Sequence, residues 1–250
     1  MALYITFTAF GCDGGISGGN RGSSSGSDGG SSGQGGSLAQ ITIVGDYLYD
    51  LSVNKLSTVR LLTDGRMQRK GSIELPFIAE TIFPFGEYLL IGARDGSYIY
   101  SITNPEDPTY VSHYQHVQAC DPVVAQDNRA YVTLRSATQC RAVNELHILD
   151  IEQIESPKRI IRRSMENPHG LGIDQEILMV CEAHHGVSVL DVEYPNRIHP
   201  IATLETEAYD VILKRDKKIA LLLGRNSLIQ YDYANIHEIK KISDYEMLQP

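Results

Sequence analysis

The chain has 250 residues, a formal net charge of −9 and a pI near 5.3. That balance excludes a basic face for nucleic acid or anionic lipid. At 42% hydrophobic and 21% charged the composition is globular, enough for one large all-β domain or two ordinary ones. No apolar run approaches the roughly 18–20 residues that cross a membrane as a helix.

The amino-terminal stretch "MALYITFTAFGCDGG" is apolar and stops at a small residue and a cysteine, the layout of an export signal. Ala9-Phe10-Gly11-Cys12 resembles a bacterial lipobox. The resemblance implies that residues 1–12 are a truncated lipoprotein signal segment and that Cys12 is the lipidated residue. No Lys or Arg precedes Cys12, so the basic region of a complete signal is missing. Between Asp13 and Ser37, 19 of 25 residues are Gly or Ser. This segment 13–37 reads as a flexible tether with an r.m.s. reach of about 25–30 Å. Lipid anchor, tether and folded domain together place the protein in the cell envelope. There it is anchored to the outer membrane, periplasmic or surface-exposed, and touches membrane only through lipid.

Residues 38–250 read as a repeat. A short first strand recurs as "AQITIV", "AETIFPF", "CDPVVAQ", "PHGLGID" and "YDVILKR". A turn and a second strand follow: "GDYLYDLS", "GEYLLIGAR", "NRAYVTLRS", "QEILMVCEA" and "KKIALLLG". A strand–corner–strand stretch completes each unit. The copies are "NKLSTVRLLTDGRMQRKGS", "GSYIYSITNPEDPTYVSHY", "NELHILDIEQIESPKRIIRRS", "GVSVLDVEYPNRIHPIA" and "NSLIQYDYANIHEIKKIS". Four strands in roughly 40–48 residues, repeated, predict an all-β propeller of five or six four-stranded blades, with the terminal unit closing the ring. Asp150, Asp191 and Asp232 each end a strand before a turn. There an aspartate accepts from backbone N–H groups ahead of it and forms the blade corner.

The plan strand-Asp-Ile/Val-x-x-Pro, with "GVSVLDV", "LHILDI" and "GSYIYSI", resembles the LVIVD-repeat β-propeller lipoproteins of Bacteroidetes-like bacteria. "CDPVVAQDNRAYVTLRS" and "NPHGLGID" are similar to them as well. The resemblance covers nearly all of residues 40–245 and implies a surface propeller with no settled biochemical role. The first unit departs by lacking the Asp-Ile/Val ending, and the last by lacking its prolines.

Superposing the units places Gln40, Glu80, Asp121, His169 and Asp210 at one position, spaced by 40, 41, 48 and 41 residues. First strands line the axial channel of a propeller, so these residues are expected at one depth around it. Carboxylates and a histidine there are candidate ligands for a divalent cation such as Ca²⁺, or for a polar ligand. The alternative is wet residues that cap nearby backbone. Tyr209, Cys120 and Asn167 flank the set. Cys120 and Cys140 are a candidate disulfide in an exported protein. Cys181, inside "ILMVCEA", reads as a buried apolar residue. His184 and His185 lie in a turn and, as neighbours in extended chain, point apart. No nucleophile-elbow, zinc-protease or phosphate-loop motif occurs.

These features point to a non-enzymatic, monomeric envelope lipoprotein whose propeller binds protein or glycan. The long connection "RSATQCRAVNEL" (135–146) is the expected binding edge. The alternatives are a metal-assisted hydrolase or lyase at the axial ring and an envelope-assembly scaffold.

Overall fold

The computed structural model describes residues 36–117, 122–135 and 143–247, and those residues contain no helix. Twenty strands form five antiparallel sheets of four, each a meander of consecutive strands. Blade 1 holds β1 (Ile41–Val44), β2 (Tyr47–Ser52), β3 (Lys55–Leu61) and β4 (Met67–Glu74). Blade 2 holds β5 (Ala79–Phe85), β6 (Tyr88–Ala93), β7 (Gly96–Ser101) and β8 (Thr109–Gln115). Blade 3 holds β9 (Val123–Gln126), β10 (Arg129–Leu134), β11 (Glu145–Asp150) and β12 (Lys158–Ser164). Blade 4 holds β13 (Leu171–Asp174), β14 (Ile177–Cys181), β15 (Val187–Asp191) and β16 (His199–Leu204). Blade 5 holds β17 (Asp210–Lys214), β18 (Ile219–Leu223), β19 (Ser227–Asp232) and β20 (Lys240–Glu246). The architecture is a five-bladed β-propeller, so of the two expected blade numbers the lower is found.

The repeat extends to backbone detail. Every blade carries a register shift between its third and fourth strands, at Thr58/Val59, Ile99/Tyr100, Ile148/Leu149, Val189/Leu190 and Gln230/Tyr231. Such bulges bend a strand and deepen its twist. At or just past the end of the third strand, one N–H returns to the inner turn in every blade, from Leu61, Ile102, Ile151, Val192 and Tyr233. The inner turn needs a left-handed residue. Blades 1 and 2 use Gly45 and Gly86, both at φ 56°. Blades 3, 4 and 5 accept Asp127, Gln175 and Lys218 at φ 52–54°, where a Cβ is strained.

The aspartate corners form as expected. Asp150 accepts from Glu152 N–H at 2.9 Å, Asp191 from Glu193 N–H at 2.9 Å, and Asp232 from Ala234 N–H at 2.8 Å. In blade 2 the hydroxyl of Ser101 accepts from Thr103 N–H in the same place.

Four apolar cores hold the blades together. Tyr49, Leu51 and Leu56 of blade 1 pack on Ile82, Leu89 and Tyr100 of blade 2. Leu90 and Ile99 meet Val123, Ala130 and Leu149 between blades 2 and 3. Tyr131 and Ile148 meet Leu171, Leu178 and Leu190 between blades 3 and 4. Met179 and Val189 meet Val211, Ala220 and Ile229 between blades 4 and 5. Among the described residues no apolar core joins blade 5 to blade 1, so the last unit does not close the ring in the expected way.

A polar strap bridges the centre instead. Ser37 Oγ donates to Asp210 Oδ1 at 3.0 Å and accepts from Leu171 N–H at 2.8 Å. Two residues on, Ala39 C=O accepts from Ile82 N–H at 2.8 Å. Residues 37–39 thus touch blades 5, 4 and 2.

Candidate functional site: the axial mouth

Each innermost strand starts at one end of the axis, and the residues there arise from the repeat. Gln40 precedes β1 and is exposed; its Nε2 donates to the Glu80 carbonyl at 3.4 Å. Glu80, in β5, is half-buried and pairs through Oε1 with Arg94 Nε at 3.1 Å. His169 precedes β13. Its Nδ1 lies 2.8 Å from the Asn167 carbonyl. A carbonyl can only accept, so Nδ1 carries the proton and Nε2 keeps its lone pair. The ring of Tyr209 stands edge-on to this imidazole, with centroids 5.1 Å apart. Burial, with the Arg135 cation nearby, holds His169 below its ordinary value despite the bond to Asn167.

Asp210 opens β17 and is 7% exposed. Its carboxylate accepts from Ser37 Oγ, from Leu38 N–H at 3.3 Å and from Val211 N–H at 2.9 Å. A Cβ on Gly36 or Gly170 would run into that carboxylate. Only glycine lets both backbones approach it so closely. Burial pushes the Asp210 acid up to about 6, although those three bonds favour the ion.

The structure therefore brings Gln40 beside Glu80, and His169 beside Tyr209 at the head of Asp210's strand. Asp121 lies outside the described residues, as do Cys12, Cys120, Cys140 and 136–142 of the long connection. Among the described residues no group of three or more His, Cys, Asp or Glu side chains is arranged to hold a metal ion. Cys181 is free and buried, as its apolar surroundings imply, and burial pushes its thiol up. His184 and His185 do not point apart. Their rings lie 4.0 Å apart, because the chain turns sharply between Ala183 (φ 51°) and Gly186 (φ 97°) instead of running extended.

Several functional partners had no sequence signal. Ser37 is one serine in a Gly/Ser run, yet it is 1% exposed and ties Asp210 to blade 4. Buried Glu182 takes Ser188 Oγ on one oxygen and Glu166 N–H on the other, at 2.5 and 2.7 Å. This bond pair fixes the top of blade 4. His147 links Tyr114 Oη, at 3.1 Å, to Glu145 Oε2, at 2.7 Å, across blades 2 and 3. In "NELHILD" it occupies an ordinary core-facing position, and nothing in the spacing distinguishes it.

No family model matches the chain, and no curated protein matches it. Solved structures do. The periplasmic gluconolactonase PpgL of Pseudomonas aeruginosa superposes with a TM-score of 0.63 at 11% identity, over 83% of this chain and 68% of its own. A functionally unknown protein of Desulfotomaculum acetoxidans gives 0.68 at 9% identity, over 88% and 71%. Hsv2 of Kluyveromyces lactis gives 0.55 at 10% identity, over 80% of this chain and 59% of that one. At such identities the likeness is one of fold.

Proposed function

We propose that this protein is a non-enzymatic cell-envelope lipoprotein of the LVIVD-repeat kind, whose propeller binds protein or glycan. The observation that carries the reading is how the axial carboxylates are used. Asp210 is occupied by Ser37, Leu38 and Val211, and Glu80 by Arg94. These groups support backbone and neighbours, as structural residues do, and among the described residues no acid, base and nucleophile converge at the mouth. What remains around it is a set of loops, where propellers and other scaffolds carry recognition. Arg94, Arg135, Tyr209 and Arg225 supply donors and an aromatic face there, a chemistry suited to glycan hydroxyl groups and acidic substituents.

The test is calorimetric titration of the full chain with soluble cell-wall glycan fragments, alongside Arg94→Ala and Arg135→Ala. Binding that weakens in both variants, with no turnover of the glycan, is the expected result. Binding unaffected by either substitution would place recognition elsewhere.

A second reading rests on His169. Its Nε2 lone pair, in a half-buried imidazole kept neutral, can take a proton from water. One structural neighbour is a gluconolactonase. If the mouth were a hydrolase site, the full chain would hydrolyse gluconolactone and His169→Asn would not.

A further inference from the structure

The fourth strand of each blade is the end of its sheet and has no strand on its outer side. The five differ in charge. Strands β8 and β16 contain no Lys, Arg, Asp or Glu. Strand β4 sets Arg69 and Lys70 against Glu74, and Glu106 holds Lys70 at 2.9 Å. Strand β20 sets Lys240 and Lys241 against Asp244 and Glu246. Strand β12, "KRIIRRS", carries Lys158, Arg159, Arg162 and Arg163 and no acid. One edge of blade 3 therefore gathers four cations in a chain of net charge −9.

These cations face outward. Glu145 pairs with Arg162 at 3.5 Å, and Arg162 stays 65% exposed. Among the described residues no carboxylate pairs with Lys158, Arg159 or Arg163. Asp150 stands opposite Lys158 in the ladder but accepts from Glu152 N–H instead. Arg159 reaches Tyr114 Oη of blade 2 at 3.4 Å, and Arg162 stands opposite His147, which bonds the same hydroxyl. Arg163 stands opposite Leu146, in the core shared with blade 4, and reaches the Ile198 carbonyl at 3.4 Å. The guanidinium groups thus flank the edge on both sides. Ile160 has no partner across the ladder, and beyond it residues 161–164 pair regularly with β11.

An edge strand offers a row of backbone N–H and C=O groups to any further strand. Backbone pairing supplies affinity, and the flanking side chains select the partner. An added strand sends successive side chains to opposite faces. Acids at adjacent positions would meet Arg159 and Arg162 on one side and Arg163 on the other, in the forked geometry that guanidinium and carboxylate share. At about 3.3 Å per residue the strip is roughly 23 Å long and one strand wide. A duplex or a membrane needs a broad basic face, which the overall charge excludes. An extended acidic segment needs only a strip. A glycan offers no backbone donors and acceptors in strand register, so the edge favours protein.

We infer that the outer edge of blade 3 is the docking site for an extended acidic segment of a partner protein, which adds to β12 as a fifth strand. This rests on the reading of the propeller as a binding module and names a partner class for a surface away from the axial mouth. The glycan titration reads Arg94 and Arg135, so either result can fail without the other.

The test is fluorescence anisotropy of the full chain with a labelled peptide, Glu-Glu-Val-Glu-Glu-Val-Glu-Glu, at about 50 mM salt, where exposed charges are weakly screened. The peptide is expected to bind. Its affinity should fall about fivefold or more in Arg159→Gln with Arg163→Gln, a pair of exposed ionic contacts. The control, Lys240→Gln with Lys241→Gln on the outer strand of blade 5, should bind as the parent does. Unchanged Tm in both variants shows that they fold. A second peptide, N-methylated at alternate residues, keeps the charges but cannot pair as a strand, and should bind at least about fivefold more weakly. Equal binding of the methylated peptide means charge attraction without strand addition and overturns the inference. So does equal binding by the Arg159 and Arg163 variant. Binding of polygalacturonate but not of the peptide would make the strip a glycan site and overturn it. No binding of either would mean that the cations only guard the edge against pairing, and overturns it too.

Discussion

Replacing Asp210 by asparagine removes a carboxylate whose ionisation the fold opposes. Burial pushes this acid up to about 6 from an ordinary 3.8. Below about pH 4 the group is protonated in folded and unfolded chain alike and its ionisation costs nothing. Between 4 and 6 the unfolded chain ionises while the folded chain holds its proton. Above 6 both are ionised and the burial cost is present in full. Stability from this group therefore falls as pH rises from about 4 to about 6, because the native state binds more protons. At about 1.4 kcal/mol per pKa unit the fall is about 3 kcal/mol. Burial of His147 and His169 acts with the opposite sign. Both imidazoles are held below 6.5, so their contribution is lost as pH falls. Subtracting variant from parent isolates Asp210. The asparagine keeps one acceptor oxygen for Ser37 and Val211 but turns an N–H toward Leu38 N–H, a loss of about 1–3 kcal/mol at every pH. The assay is thermal unfolding of the full chain and of Asp210→Asn between pH 4 and 8. At about 2–4 °C per kcal/mol, the parent's Tm minus the variant's should fall by about 6–12 °C from pH 4 to pH 7, going from positive to zero or negative. Parallel curves would refute the reasoning.

Other outcomes follow from single contacts. Asp174 is buried in blade 4 and receives Tyr233 Oη at 2.8 Å and Lys218 Nζ at 2.7 Å from blade 5. Tyr233→Phe should therefore lower stability by about 1–2 kcal/mol in urea unfolding. Gln175→Gly relieves a left-handed residue and should raise stability by about 0.5–1 kcal/mol by the same measurement. Asp150→Ala removes one blade corner bond and should cost about 1 kcal/mol. Gly170→Ala drives a Cβ into Asp210 and should lower the Tm, with Asp210→Ala in the same chain restoring part of the loss.

Much of the fold was legible because the physics that builds a blade repeats. The Asp150, Asp191 and Asp232 corners, the inner-turn residues and the doubly apolar strands such as "ILMVC" are local and recur at a fixed period. The worn ends of the repeat were legible too, but their meaning was not. "LTDGRM" lacks the strand-ending aspartate, yet Asp64 still accepts from Arg66 N–H and the bulge and return bond are intact. What failed to show in the sequence was long-range. Leu48 of blade 1 and Leu221 of blade 5 belong to no apolar core. They are as apolar as their equivalents, and only Asp50, standing where the other blades bury Ile91, Val132, Val180 and Leu222, marks that face of blade 1 as different. The alignment of His169 with Asp210 was one residue out, since His169 N–H bonds to Cys181 as Tyr209 N–H bonds to Leu223, which makes Tyr209 the equivalent of His169. Nor could the alignment reveal that Arg94 and Ser37 had already taken Glu80 and Asp210, since those partners lie 14 and 173 residues away.

The central claim is that the axial polar residues serve the fold and that the protein acts by binding. The most direct test is a thermal-shift titration of the full chain with Ca²⁺, with Mn²⁺ and with EDTA. A ligand that binds only the folded chain raises the Tm with its concentration. The account predicts that neither cation nor chelator moves the curve. A concentration-dependent rise with Ca²⁺ or Mn²⁺ that disappears in Asp210→Asn would contradict it and make the axial mouth a metal site.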